Sequence, residues 1–347
     1  MKKKILTKKV FSERDANNFS KISGDWNPIH HDLVIARRLI AGEIVLHGIA
    51  SLLWAINYYL KENNPSISYI RCNFIHPITL DKEYFLTIEA ENDYAADLVI
   101  FSDQQPCLKA SLEFLGTKNT QNPRYKKPNI LMPEEHTFNQ LKNSKGRIHP
   151  IYKNKELNDI YPNIYKNIGL MPLASIICLS RLVGMHCPGM NSLFSSFKLN
   201  IKNKDSKNQM DWNVSRHSIQ IAPIKINFDG GGLMGELEVF YRPEKVNQKN
   251  ISSIKNEVKD NQFIDQNALI IGGSRGLGEL VTKIIVAGGG KAIASYFNGK
   301  QDIKNLESNI KKNNLKIKSL KLDINDLTGL KNYLIKEEIS QPEIFIL

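Results

Sequence analysis

The order of elements along this chain constrains its fold more than any single residue does. Gly42 to Tyr59 reads GEIVLHGIASLLWAINYY, with Ile49, Leu52, Leu53 and Ile56 at the three-and-four spacing of one helix face, which predicts a buried helix. Four runs rich in β-branched and aromatic residues follow: Ile67 to Ile78, Glu83 to Glu91, Asp97 to Ser102 and Cys107 to Leu115. Pro, Asp or Asn bounds each of them, as strand ends require. The same order then returns. Gly169 to Cys187 carries helical spacing at Ile176, Leu179, Leu182 and Val183, and strand runs follow at Ser192 to Ile201, Met210 to Arg216, Ile219 to Phe228 and Leu233 to Tyr241. The two copies hardly match residue for residue. A helix followed by four strands able to wrap it, met twice, predicts two α+β units of the same order within one chain.

The stretch between the amino terminus and the first long helix holds the chemistry. Lys4 to Val10 alternates loosely, as an edge strand does. Ser12-Glu13-Arg14-Asp15 resembles a helix N-cap with an acid three places on, leading into a short helix that ends near Ile22, and Asp32 to Ile40 predicts a second helical piece. Between them, Phe19 to Ala36 reads FSKISGDWNPIHHDLVIA. Gly24 and Pro28 punctuate this segment, so it reads as a loop. A loop can aim Asp25 and His30 at one point, which is what polarising a single water requires. Imidazole titrates near neutrality and can give or take a proton.

The order aromatic, two residues, Ile22-Ser23-Gly24-Asp25, any residue, Asn27-Pro28-Ile29-His30, five residues, Ala36 resembles the signature of MaoC-like, (R)-specific enoyl-thioester hydratases, with no departure at its defining positions. The resemblance implies a hotdog fold, and because hotdog units normally pair edge to edge, it implies that the two units form one pseudo-dimer within the chain. It implies Asp25 and His30 as the pair that activates water for addition to, or removal from, an acyl thioester, with Asn27 supporting the loop. It also implies a backbone amide at Gly48 as the oxyanion site, where first-turn N–H groups lack intrahelical acceptors; a small residue chosen for tight packing is the equal alternative. His47 takes part directly or shapes the pocket. Which of Asp25 and His30 handles the Cα proton stays open, and the hydratase needs no cofactor. The second unit lacks an Asp-x-Asn-Pro-x-His loop, so it should be non-catalytic and form one wall of the acyl pocket. Within it, Ser180 to Gly189 reads either as a shaped pocket or as a plain helix terminus.

The C-terminal part differs. Ala268 to Ile271 is a short apolar strand running into Gly272-Gly273-Ser274-Arg275-Gly276-Leu277-Gly278 and a helix to about Ala287. Such a turn lets backbone approach a pyrophosphate at a helix N-terminus. A strand at Lys291 to Phe297, a Lys-rich helix and a strand ending at Leu322-Asp323 follow in βαβαβ order. This resembles the short-chain dehydrogenase/reductase family, with Gly272, Gly276 and Gly278 at its phosphate turn, Ser274, Arg275 and Leu277 among them, and Asp323 near the adenine; Ile271 stands where Thr is usual. Arg275, with no acid ending the second strand, implies NADP(H) rather than NAD(H). The resemblance ends before the family's Ser, Tyr and Lys catalytic residues, because PEIFIL closes the chain as a fourth strand. That half-built sheet reads as a truncated product or fragment, with a genuine mini-domain as the alternative.

The expected organisation is therefore an α+β double hotdog followed by a partial α/β Rossmann-like domain. Residues 1–118 form the catalytic unit, 119–145 a connector containing Arg124-Tyr125-Lys126-Lys127, 146–245 the second hotdog, 246–266 a linker and 267–347 the nucleotide-binding segment. The net charge of +12 is spread along all 347 residues with no basic helix or stacking motif, which argues against nucleic acid. It suits steering of an anionic carrier. Cys72, Cys107, Cys178 and Cys187 are isolated, and no Cys/His spacing suits a metal. Met1-Lys2-Lys3-Lys4 is followed by no apolar leader segment, and the longest apolar stretch is too interrupted to span a bilayer. A cytoplasmic protein is expected, acting on acyl-CoA or acyl-carrier-protein thioesters as a hydratase/dehydratase, with further association into a homo-oligomer open. The rivals are the front part of a bifunctional dehydratase–ketoreductase, a non-catalytic acyl-thioester or carrier-protein binding module, and a thioesterase.

Overall fold

The computed structural model describes residues 5–36, 41–62, 65–115, 123, 132–202, 207–219, 221–242, 248–324, 326–336 and 344–346. Arg124-Tyr125-Lys126-Lys127, residues 37–40 of the expected second short helix, and Pro342 and Leu347 of the expected last strand lie outside these. Two compact units emerge, Met1–Pro243 and Glu244–Leu347.

The first unit is built on one ten-stranded antiparallel sheet. Its strands are β1 (Ile5–Val10), β2 (Tyr69–Phe74), β3 (Glu83–Asn92), β4 (Ala95–Ser102), β5 (Gln105–Glu113), β6 (Lys145–Ile148), β7 (Ser192–Ile201), β8 (Met210–Arg216), β9 (Ile224–Gly230) and β10 (Leu233–Tyr241). Their spatial order is β1-β3-β4-β5-β2-β7-β10-β9-β8-β6. Read outward from the centre, the two halves have the same topology, with β6 to β10 repeating β1 to β5. The seam is the β2–β7 pair, where Tyr69 faces Asn200 and Cys72 faces Phe197. Each half wraps a buried helix, α3 (Gly48–Glu62) and α6 (Leu170–Arg181). In α3 the predicted stripe of Ile49, Leu52, Leu53 and Ile56 is almost fully buried, and α6 is buried on every side. A helix apolar all round belongs inside such a core.

Local signals explain the smaller elements. Helix α1 (Glu13–Ser23) starts with a capping box between Ser12 and Asp15, and Gly24 at φ 74° ends it. Helix α2 spans Leu33–Ala36, while α4 (Asn154–Ile160) and α5 (Pro162–Ile168) precede α6. Among the described residues no single helix is long and apolar enough to cross a membrane. The α5–α6 pair passes on composition together with the turn that follows α6, yet it bends by 118°.

Several expectations need correction. The first long helix begins at Gly48, not Gly42, because the preceding residues are extended: Val45 bridges Thr79 and the Leu46 N–H donates to Ile78 O. The strand expected from Ile219 begins at Ile224. Strand β6, KGRI, and helices α4 and α5 were not foreseen. Only Ile148 of β6 is buried, so the strand carries no alternation to read. Pairing with β8 alone creates it.

The second unit holds a parallel sheet of β11 (Asn267–Ile270), β12 (Lys291–Tyr296), β13 (Lys318–Lys321) and β14 (Ile344–Ile346), in the order β13-β12-β11-β14. Helices α8 (Gly276–Ala287), α9 (Lys300–Lys311) and α10 (Leu327–Lys336) connect the strands. The segment expected as a linker contributes α7 (Ile251–Lys255), whose Ile251 and Ile254 are buried; Ile251 joins Ile270 and Ile285 in one core. Two apolar side chains three apart anchor what polar composition suggested would stay free.

Candidate active site

The loop after α1 is shaped by three local devices. Gly24 adopts the left-handed region and its N–H closes on Ser20 O at 2.8 Å. A side chain there would be strained by φ and would meet Arg181 Cδ at 3.0 Å. Pro28 opens a single 3₁₀ turn to His30, capped by Asn27, whose Oδ1 accepts from Ile29 N at 3.2 Å. The Asn27 amide also donates to Gly184 O at 2.8 Å and Gly189 O at 3.3 Å, which ties the loop to the second half.

This geometry brings Asp25 and His30 together. Asp25 Oδ2 lies 4.0 Å from His30 Nε2, with the carboxylate buried and the imidazole side chain 12% exposed. His30 Nδ1 donates to Val45 O at 2.6 Å, which fixes the neutral tautomer and leaves Nε2 as a bare acceptor turned toward the carboxylate. Asp25 Oδ1 accepts from Asn27 N at 3.1 Å, and Oδ2 accepts from Ser180 Oγ at 2.6 Å. Burial pushes the Asp25 carboxyl up to about 6, against the opposing pull of the Ser180 and Asn27 hydrogen bonds and the charges of His31 and Arg181. Burial pushes His30 down to about 4, opposed by its bond to Val45 and assisted by the Arg242 charge. Each group is thus shifted toward its neutral form, and between about pH 4 and about pH 6 the carboxyl holds a proton while the imidazole is free to take one.

His47 stands directly behind this pair. Its ring stacks on His30 at 3.6 Å between centroids, and its Nε2 contacts Asp25 O and Ser20 Oγ, each at 3.2 Å. Donation to the Asp25 carbonyl puts its proton on Nε2, and its buried Nδ1 has no partner among the described residues. Burial, then the His30 charge, holds it well below the usual imidazole range. Ser20 also meets His31 Nε2 at 2.8 Å.

Asp25, His30 and His47 present ligand atoms within 4.8 Å of one another. The two imidazole rings stack at 3.6 Å with planes only 24° apart, so an ion lying in the plane of one ring would lie out of the plane of the other. With His47 Nε2 already engaged, the trio does not fit a metal ion, which requires ligand lone pairs aimed at one centre.

Gly48 begins α3, immediately after His47, so its N–H is among the first-turn amides with no intrahelical acceptor. Its lack of a side chain has a packing cause as well: a Cβ there would lie 2.6 Å from Phe74 Cε1. The second half was expected to wall the pocket, with Ser180 to Gly189 as one reading of a shaped pocket, but its contact with Asp25 was not foreseen. After Arg181 the helix widens into a turn over Leu182–His186, with Cys187 N bonded to Leu182 O across five residues at 2.8 Å. Such widened turns recur at functional sites. In this one Gly184 makes room for Asp25, since a Cβ would lie 2.7 Å from Oδ2. Trp26 N meets Met185 Sδ at 3.2 Å. The unusual Ser180 to Gly189 run was the available signal. What it faces could not be read from it.

In the second unit the Gly272 to Gly278 turn joins β11 to α8. Gly272 and Gly276 have φ of 69° and 58°, and the space where a Cβ would stand is open at both. Gly278 is held to glycine by contact with Gly272 O. Ser274 is buried, Leu277 is exposed, and Asp323 follows β13.

Comparison with known proteins bears on the N-terminal half of the first unit. Residues 2–98 match the family model described as MaoC like domain, so the N-terminal segment is a MaoC-like domain. The match includes the Asp25–His30 loop and α3, and extends to neither the second half nor the second unit. No curated protein matches. Among solved structures, a MaoC-like dehydratase is 9% identical, covering 70% of this chain and 96% of its own, with a TM-score of 0.47. The peroxisomal multifunctional enzyme type 2 from Drosophila melanogaster is 9% identical, covering 67% and 48%, with a TM-score of 0.40. The dehydratase domain of a mycocerosic acid synthase-like polyketide synthase is 10% identical, covering 58% and 84%, with a TM-score of 0.36.

Proposed function

We propose that the first unit is a hydro-lyase interconverting 3-hydroxyacyl and 2-enoyl thioesters of coenzyme A or an acyl carrier protein. One observation carries this reading: the 4.0 Å gap between Asp25 Oδ2 and the free lone pair of His30 Nε2. An oxygen bonded to both atoms at about 2.8 Å would sit in that gap with an angle near 90°. In dehydration, His30 Nε2 takes the Cα proton while protonated Asp25 gives its proton to the departing hydroxyl. Hydration reverses both transfers. The raised carboxyl and the lowered imidazole give, between about pH 4 and about pH 6, the protonation state in which dehydration starts. The enolate that develops at the thioester carbonyl is served by the first-turn amides of α3, Gly48 among them. The second half acts as a buttress for the loop.

Proton transfer of this kind contributes about 10²–10⁴-fold. His30→Ala and Asp25→Asn should each reduce hydration of crotonyl-CoA, followed by loss of enoyl absorbance, by at least the lower figure. Wild-type rates in either variant overturn the assignment. Thioester binding with no absorbance change would instead favour a binding module, and release of free thiol would favour a thioesterase.

For the second unit we propose a nucleotide-binding, Rossmann-like role of the short-chain dehydrogenase/reductase type, carried by the β13-β12-β11-β14 order and the open glycine turn. Gly272, Ser274, Gly276 and the first amides of α8 would hold the pyrophosphate of NADP(H), with Arg275 beside it. The nicotinamide, when bound, supplies hydride chemistry. NADPH should bind the full chain and raise its fluorescence on binding. Gly276→Asp, which sets a carboxylate in the turn, should abolish this, and equal binding by both proteins would refute the role.

A further inference from the structure

The second half carries no copy of the Asp-x-Asn-Pro-x-His loop, yet its α6 touches the reacting carboxylate. Ser180 is buried on that helix, and its hydroxyl donates to Asp25 Oδ2 at 2.6 Å. Oδ2 is also the oxygen that faces His30 Nε2 and His47 Nε2, each at 4.0 Å. Gly184, four residues on and so on the same helix face, leaves the space that the carboxylate fills. One side of the second half therefore presents a donor and a notch together, both fitted to one side chain from the first.

We propose that Ser180 is a positioning residue of the active site, holding Oδ2 so that its remaining lone pair faces the gap shared with His30. A carboxylate oxygen has two in-plane lone pairs. With Ser180 on one and Asn27 N–H on the other oxygen, the carboxyl plane cannot rotate, and the proton that Asp25 exchanges has one direction to travel. With the exchanged proton on the lone pair that faces the gap, the hydroxyl goes on donating to the other, so it stays bonded in both states. The second half is then a working part of the reaction centre, and the pair of halves cannot be divided without losing it. This inference rests on the hydro-lyase reading.

The charged and titratable groups around Asp25 are His30, His31 and His47 from the first half and Arg181 from the second; Arg242 acts on His30. None of these changes when Ser180 is altered, so a shift in the pH profile reports the lost donor. The experiment compares wild type, Ser180→Ala, Ser180→Thr and Ser180→Cys in crotonyl-CoA hydration across pH 4 to 8. Loss of a hydrogen bond to a charged group should lower kcat about 10–100-fold in Ser180→Ala, with KM within about twofold. The alkaline limb should move to higher pH by about one unit, because the removed donor favours the ionised carboxylate. Ser180→Thr, which keeps the hydroxyl, should recover most of kcat and the original limb. An active wild type whose Ser180→Ala variant keeps both kcat and limb overturns this proposal alone. A wild type inactive on every thioester overturns the hydro-lyase reading, and this proposal with it. If Ser180→Ala does not fold, Ser180→Cys, a poor donor of similar volume, decides by the same shift.

Discussion

Asp25 and His30 pull the pH dependence of stability in opposite directions, and removing either one should expose the other. The Asp25 carboxyl at about 6 lies above its ordinary value of 3.8. Its contribution is therefore fully present below about pH 4 and lost as pH rises through 6. His30, lowered from 6.5 to about 4, does the reverse, contributing fully above pH 6.5 and losing that contribution as pH falls through 4. Both shifts exceed two pH units, and at 1.36 kcal/mol per unit each corresponds to about 3 kcal/mol. Across pH 4 to 6 the two slopes nearly cancel in the wild type. Asp25→Asn should therefore gain about 3 kcal/mol relative to wild type as pH rises over that window. His30→Gln should lose about as much over pH 4 to 6.5. The three tryptophans, Trp26, Trp54 and Trp212, all lie in the first unit, so urea unfolding followed by tryptophan fluorescence reads that unit alone. Taking variant minus wild type at each pH removes every other titrating group. Two flat difference curves, or two of the same sign, would refute the argument that burial sets both protonation states.

Two further perturbations follow from close contacts at the same site. Gly184→Ala places a methyl 2.7 Å from Asp25 Oδ2; it should cost about 1–3 kcal/mol as an overpacked core position and lower kcat more than it raises KM, which steady-state kinetics and urea midpoints can separate. Gly48→Ala drives a methyl to 2.6 Å from Phe74, so Phe74→Leu in the same chain should restore both stability and activity if the amide, not the missing side chain, does the chemistry. A double variant that folds but stays inactive would instead assign a catalytic need for glycine itself.

The recurrence of one long apolar helix and four strand runs was legible because burial imposes a 3.6-residue period on helices and β-branched composition on strands. The Asp25–His30 loop was legible too. Gly24, Asn27 and Pro28 act on their immediate neighbours, so that segment bends in the same way wherever it is placed. Strand β6 was not legible, since its four mostly polar residues become a strand only by pairing with β8. The linker reading failed at Ile251 and Ile254 for a related reason: burial is a property of what packs against a residue, not of its composition. Ser180 and Gly184 show the same limit at the site itself. Nothing in a Ser or a Gly within an apolar helix declares that a carboxylate 155 residues earlier will lie against it. The sequence by itself determined local conformation and the pair of groups able to move protons. Tertiary structure decided their protonation, because desolvation and hydrogen bonding across the seam depend on atoms far away in the chain.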